Sequence, residues 1–407
     1  MGEKIVIIGA GTAGLAVSHA LRERGVDHQM LERRRIGETW RSERWDAFTM
    51  VTPSWITALP GLALDGHDPD GFLTLAEWLA YLDRYARACA PPVWEGVAVN
   101  ALRSRPDGGF LLETPDGQVE AETVVVATGF FRMPLVPSFA SALPAQIRQL
   151  PGSMYRNPSS LPPGAVLVVG TGQTGSQIAE ELLHAGREVY LSVGRVGRTP
   201  RRYRGKDSMW WRHQPGFPGA NRDRPASYSH MTGKDGGRDL NLHQFARDGM
   251  RLLGRVEGIS GQTLLLAGDL HQRLAEADAA DQQFRRMADA FIASTGMEAP
   301  PDSDPSDPGL RDGFEQPTQT ALDLETAGIS TVIWAAGFRP DFSWIDLPVL
   351  DDQGRLTATG SESPLPGLYF AGMRWERPGI TTLIGGLGPE AEAIANRIAG
   401  DRRSAQS

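Results

Sequence analysis

Two glycine clusters stand 161 residues apart in this chain, at Gly9-x-Gly11-x-x-Gly14 and Gly170-x-Gly172-x-x-Gly175. Each follows a short apolar run, "KIVII" in the first case and "VLVV" in the second, and each opens a stretch of helical composition. Strand, tight turn and helix in that order make a phosphate cradle. The first glycine permits the turn, the second leaves room for a pyrophosphate beside the backbone, and the third lets the helix pack close to the strand. The unpaired N–H groups and partial positive charge of the helix N-terminus then face the phosphates.

The two cradles differ in what comes next. After the first, the run "DHQMLE" ends in Glu32, 18 residues beyond Gly14, where a carboxylate can accept hydrogen bonds from ribose hydroxyls. Aligning the cradles on their glycines sets Val193 opposite Glu32, so the second lacks that acid. It is followed by "GRVGRTPRRYRGK", which carries Arg195, Arg198, Arg201, Arg202, Arg204 and Lys206. An acid there repels a 2′-phosphate, whereas arginines bind one in bidentate fashion. The first cradle therefore suits a cofactor with a free ribose, such as FAD, and the second suits NADPH. Together they let a nicotinamide deliver hydride to a flavin.

The surrounding pattern predicts an α/β protein with two Rossmann-like dinucleotide-binding domains. Residues 74–90 read as a helix with Thr74 as N-cap and Glu77 completing a capping box. Residues 97–129 read as a β-meander with turns at "RPDGG" and "TPDGQ", closing in a buried strand before Thr128-Gly129. Residues 272–296 read as an amphipathic helix, residues 216–237 as loop, and the acidic, proline-rich stretch 299–313 as mobile. "TVIWAAGFRPD" parallels "TVVVATGFFRMP", and "LPGLYFAGM" is a further strand before a last helix near Gly388-Pro389, whose N-terminus is expected to face the flavin pyrimidine. The simplest division is 1–157 and 335–407 for the flavin domain, with 158–334 inserted as the NADPH domain.

Composition narrows the function. A formal net charge of −8 argues against a generic nucleic-acid binder. No apolar run approaches membrane-spanning length and no signal segment opens the chain, so the cytoplasm is the expected location. The single cysteine, Cys89, excludes an intrachain disulfide and a Cys-x-x-Cys redox pair. The spacing of His213, His230 and His243 fits no metal site, so no metal is expected.

These motifs carry a resemblance. The two cradles, "GETW" after Glu32, "VVVATGFF", "WAAGFRPDFSW" and "LYFAGM" together resemble the flavin-containing monooxygenase family. "MYRNPSSLPPGAVLVVG", "RRYRGKD" and "DLNLHQFARDG" are similar to its bacterial branch labelled as flavoproteins involved in potassium transport, relatives of plant auxin-forming monooxygenases. The resemblance implies FAD reduced by NADPH, addition of O2 at the flavin C4a carbon, and transfer of one oxygen from that hydroperoxide to a nitrogen, sulfur or carbonyl carbon. It matches Gly9, Gly11, Gly14, Glu32 and Trp40 to FAD positions, and Gly170, Gly172, Gly175 and Arg195 to NADPH positions. Thr12, Ala13, Arg33, Thr39, Thr128, Gly129, Gln173, Thr174, Arg198, Ala336, Gly337 and Gly372 complete the candidate cofactor contacts. Candidate catalytic residues are Thr52, Tyr155, Trp210 and His243. Pro151 stands where the family pattern has histidine, and "MVTPSW" lacks the asparagine that many members hold near the flavin. The expected partners are a small-molecule substrate and O2, with no nucleic acid or membrane, and a homodimer left open. Two alternatives remain at this stage: an NADPH:acceptor flavin dehydrogenase or oxidase, and a redox-sensing partner of a transport system.

Overall fold

The computed structural model describes residues 5–195, 197–218, 230–302, 309–358, 360–373 and 384–406. Two five-stranded parallel sheets organise them. The first runs Leu368–Phe370, Thr123–Val126, Ile5–Ile8, Gln29–Glu32, Val93–Glu95. The second runs Arg251–Leu253, Val189–Ser192, Ala165–Val169, Ile329–Trp334, Arg148–Pro151. The repeat extends to the register: Ile8 pairs with Leu31, and Val169 with Ser192, the same relation carried 161 residues along the chain.

The strands are apolar on both faces because both faces are covered. Ile5 and Ile7 join one core with the helix Thr12–Glu23, the aromatic ladder Trp78, Tyr81, Tyr85 and the terminal helix Leu387–Gln406. Val6 and Ile8 join the opposite core with Phe110, Leu112 and Phe370. Val166 and Val168 likewise face one side of the second sheet, and Leu167 and Val169 the other.

The chain leaves the first sheet after Val126, builds the second, and returns through Leu368–Phe370. Arg148–Pro151 pairs with Ile329–Trp334, so the second sheet recruits a strand from ahead of the 157/158 division expected from sequence. The helix Leu75–Cys89 carries the expected Thr74–Glu77 capping box. The meander is present as Ala101–Ser104, Phe110–Thr114 and Gly117–Ala121.

Two local expectations are corrected. The long helix is Leu270–Thr295, starting two residues earlier than expected and ending on left-handed Gly296. Within the stretch 216–237 expected as loop, Met231–Thr232 pairs with Arg238–Asp239. Residues 219–229 of that stretch, and residues 303–308 of the one expected to be mobile, lie outside the described residues. Among the described residues no helix is long and apolar enough to cross a membrane.

Candidate active site between the two cradles

The C-terminal ends of both sheets open onto one cavity of about 910 Å³. Ligands in open parallel α/β sheets sit at this edge because the loops there are free and the helix N-termini point to it. The first cradle contributes Gly9, Gly11, Thr12 and Ala13, followed by Glu32, Arg33, Thr39 and Trp40. Thr128, Gly129 and Gly372 belong to the same wall. Gly172, Gln173 and Thr174 enter from the second cradle, with Ala336 and Gly337 beside them.

The glycines divide their work identically in both cradles. A methyl at Gly14 would run into the carbonyl oxygen of Gly9, and one at Gly175 into that of Gly170. Those two serve helix–strand packing and do not line the cavity. A methyl at Gly11 or Gly172 meets no atom within 4 Å, so the space outside each stays open for a phosphate. Each of these two glycines caps its helix with no side-chain hydrogen bond, leaving the first N–H groups to a ligand. Thr128 adds a buried hydroxyl with no partner among the described residues. Two dinucleotides fit this chemistry.

Glu32 sits at the edge of the first sheet, where its carboxylate accepts from the N–H groups of Ala10 at 2.8 Å and Arg34 at 2.9 Å. Those bonds aim the carboxylate along the cavity wall and leave lone pairs for ribose hydroxyls. The equivalent position in the second sheet is buried Val193. The N–H of Gly194 donates to Thr171 Oγ1 in the cradle at 3.0 Å, and exposed Arg195 follows it directly.

Arg198 is a correction. It is buried among Asp239 at 3.4 Å, Asp278 at 3.4 Å and Asp281 at 3.8 Å, which neutralise it and turn it away from a cofactor phosphate. Most of the basic run is similarly occupied. Arg201 pairs with Asp207, Arg202 donates to the carbonyls of Gly236 and Gly237, and Arg204 pairs with Asp289.

Of the four catalytic candidates, Thr52 alone lines the cavity, its hydroxyl 2.8 Å from that of Thr57. Tyr155 belongs to the second sheet's core, where burial and Glu181 push its phenol well above the ordinary range. Trp210 packs edge-on against Trp211 in a separate aromatic cluster. His243 is a structural bridge: Nε2 lies 3.2 Å from Asp278, Nδ1 accepts from the N–H of Gly313 at 3.0 Å, and Phe314 covers the ring. None of these three lines the cavity: Tyr155 and His243 are buried in the interior and Trp210 is half-buried against its cluster, which corrects their candidacy.

Sequence reasoning missed residues that do line the site, among them Arg44, Trp45, Phe48 and Ser153. The short helix Glu38–Ser42 delivers Arg44 and Trp45 to the wall. Arg156 from the far side fixes that segment, donating to the carbonyls of Arg44 at 3.3 Å, Ser153 at 2.8 Å and also Ser42. Pro151 is the strand partner of Trp334 and supplies no side-chain donor, while Gly152 and Ser153 after it reach the cavity. The asparagine-free stretch Met50–Thr52 also lines the cavity.

Residues 6–209, half of the chain, match the family of pyridine nucleotide-disulphide oxidoreductases. An uncharacterized CzcO-like oxidoreductase of Geobacillus kaustophilus is 32% identical over 401 residues, covering 97% of each chain. The indole-3-pyruvate monooxygenase YUCCA1 of rice is 32% identical over 198 residues, 46% of this chain and 47% of that protein. A substituted flavin monooxygenase from Stenotrophomonas maltophilia superposes over 98% of both chains with a TM-score of 0.67 at 19% identity, a likeness of fold. With its two cradles, its Glu32 and these relatives, the chain belongs to the pyridine nucleotide-disulphide oxidoreductase family, in its flavin-containing monooxygenase-like branch, and is a flavin oxidoreductase whose cofactors are FAD and NADPH.

Proposed function

We infer that the chain is a monooxygenase that draws hydride from NADPH through FAD and inserts one atom of O2 into a small organic substrate. The observation that carries this reading is the shared cavity: Gly11 and Gly172 open onto the same space, so the two dinucleotides meet there. Reduced flavin, when bound, supplies the electrons that activate O2. The chain's own residues do the rest. The helix N-termini at Gly11 and Gly172 hold the pyrophosphates, Glu32 takes the ribose of FAD, and Arg195 takes the 2′-phosphate of NADPH. Trp40, Trp45, Phe48 and Phe130 give the cavity an apolar wall that excludes water. Single Cys89 rules out the intrachain dithiol that a disulphide reductase of two cysteines needs. The test is turnover under oxygen-18 gas: one labelled atom per product molecule is expected, and unlabelled product with reduced acceptor refutes the reading.

A second reading, an NADPH oxidase releasing hydrogen peroxide, is favoured by Pro151. At that strand end it offers no side-chain donor to order a nucleotide. Peroxide formed mole for mole with NADPH across a panel of amines, sulfides and ketones selects it.

A further inference from the structure

Two glycines outside the cradles mark a close contact between the inserted unit and the cavity wall. Met231–Thr232 and Arg238–Asp239 form a short hairpin. It is tied to the helix of the second cradle, Gln173–His184. Gln177 Nε2 donates to the carbonyl of Met231 at 2.9 Å, the N–H of Met231 donates to Gln173 Oε1 at 3.4 Å, and Arg238 pairs with Glu180. Positions 173, 177 and 180 share one face of that helix. Arg202 holds the tip, donating to the carbonyls of Gly236 and Gly237.

Between the two short strands the hairpin meets the loops of the first unit. A methyl at Gly233 would stand 2.0 Å from the carbonyl oxygen of Met50, 2.7 Å from Phe72 Cβ and 2.9 Å from Thr49 Cγ2. Gly233 has φ −92° and ψ −5°, a right-handed conformation that other residues adopt, so the contact and not the backbone demands glycine here. Gly237, at φ +86°, comes equally close to Phe72, whose Cε2 would be 2.3 Å from a methyl there. The Met50 side of the contact is fixed as well, because its N–H donates to the carbonyl of Leu73 at 2.7 Å. Backbone meets backbone, so no side chain can swing aside to make room.

Met50, Val51 and Thr52 line the cavity onto which both cradles open, and so do Gln173 and Gln177. The hairpin therefore joins the nucleotide end of the cavity to the Met50–Thr52 wall. We propose that Gly233 is a positioning residue for reoxidation of the flavin: by carrying no side chain it lets the hairpin hold that wall closed, which keeps water from the flavin once hydride has been delivered. Gly233 takes no part in hydride transfer, so it acts on the oxygen half of the reaction and leaves the nicotinamide half alone. This role rests on the reading that both dinucleotides share the cavity, and it is the same whether O2 ends in a product or in peroxide.

The test compares the FAD-loaded parent with Gly233→Ala in two ways: quenching of flavin fluorescence by acrylamide, a small neutral probe, and stopped-flow kinetics of the two half-reactions. The quenching constant should rise several-fold in the variant, because one methyl too many in a packed contact displaces the wall. FAD content and the limiting rate of flavin reduction by NADPH should match the parent, whereas reoxidation by O2 with NADP+ present should run several-fold faster. Gln177→Leu cuts the tie at the other end of the hairpin without overpacking it and should expose the flavin in the same way, which keeps the role testable if Gly233→Ala folds poorly. Unchanged quenching and reoxidation in both variants, at equal FAD content, overturn it. A raised Kd for NADPH with the flavin still shielded also overturns it, because Gly233 then belongs to the nucleotide site. A lower urea midpoint with quenching and reoxidation intact does the same and reduces Gly233 to packing. Unlabelled product under oxygen-18 gas, with quenching changed as expected, sinks the monooxygenase reading alone.

Discussion

Arg201 Nη1 donates to the carbonyl oxygen of Val51 at 2.7 Å, joining the arginine-rich segment after the second cradle to the cavity wall built by the first sheet's loops. The same guanidinium holds Asp207 through Nε at 2.7 Å and lies 4.1 Å from the centre of the Phe72 ring. Both partners of the pair are almost wholly buried. Removing one member of such a pair strands the other charge. Arg201→Met should therefore cost roughly 3–5 kcal/mol in urea unfolding followed by tryptophan fluorescence. It should also raise peroxide released per NADPH, because the Val51–Thr52 wall loses its anchor. A variant as stable and as tightly coupled as the parent would reduce the bond to decoration.

The proposed role of Arg195 in holding the 2′-phosphate makes it the residue to test for nicotinamide preference. Arg195→Ala should lose roughly 1.5–3 kcal/mol of NADPH affinity, the scale of a charged hydrogen bond, and leave NADH untouched. Stopped-flow reduction of the flavin by each cofactor measures it. Equal losses for the two would move the phosphate contact elsewhere.

Exchanging the middle glycines separates the two cradles. Each site has space for a methyl in the empty cradle, and that methyl would occupy the room a bound phosphate needs beside the backbone. Gly11→Ala should fold and lose FAD. Gly172→Ala should stay yellow and lose about tenfold or more in NADPH affinity, as expected when a phosphate hydrogen bond fails. Bound-flavin content and NADP+ titrations read the outcome, and loss of FAD from Gly172→Ala would reverse the assignment.

His230 gives the fold a pH dependence. Its Nε2–H donates to the carbonyl of Thr171 in the second cradle at 2.7 Å, and its Nδ1 is buried without a partner among the described residues. Burial is the main cause that pushes it down to about 4, against the Thr171 bond and with help from Arg198. The folded state thus binds fewer protons than the unfolded state between pH about 4 and the ordinary histidine value of 6.5. The stability it contributes is complete above 6.5 and falls as pH drops, by roughly 2 kcal/mol between pH 7 and pH 5. His230→Gln keeps a donor for Thr171 and should flatten that slope. Urea midpoints at the two pH values decide it, and parallel slopes in parent and variant would refute the assignment.

Much of the architecture is legible because it repeats locally. The continuous apolar run Ile5 to Ile8, the 161-residue offset from Gly9 to Gly170 and the Thr74–Glu77 box each specify their element without help from distant residues. The missing acid at Val193 is legible for the same reason. Arg198 and His243 are not, because their roles depend on Asp278 and Asp281, far along the chain on the helix Leu270–Thr295. Arg44 and Trp45 follow a helix too short to show a period, so nothing in their spacing says which way they point. The nearest signal is composition: Trp40, Arg44, Trp45 and Phe48 crowd nine residues that carry no secondary-structure pattern.

The sheet order also governs when the flavin can be held during synthesis. The residues of the first cradle emerge from the ribosome early, but its sheet is closed by Leu368–Phe370 and its helix is covered by Leu387–Gln406. The second sheet is complete once Ile329–Trp334 has appeared. A vectorially made chain therefore finishes the inserted unit while the outer one still waits for its last strand. Yellow colour in a nascent chain would mark the arrival of Leu368–Phe370 and the helix Leu387–Gln406, and ribosomes stalled shortly before residue 368 should carry a nicotinamide fold without a flavin.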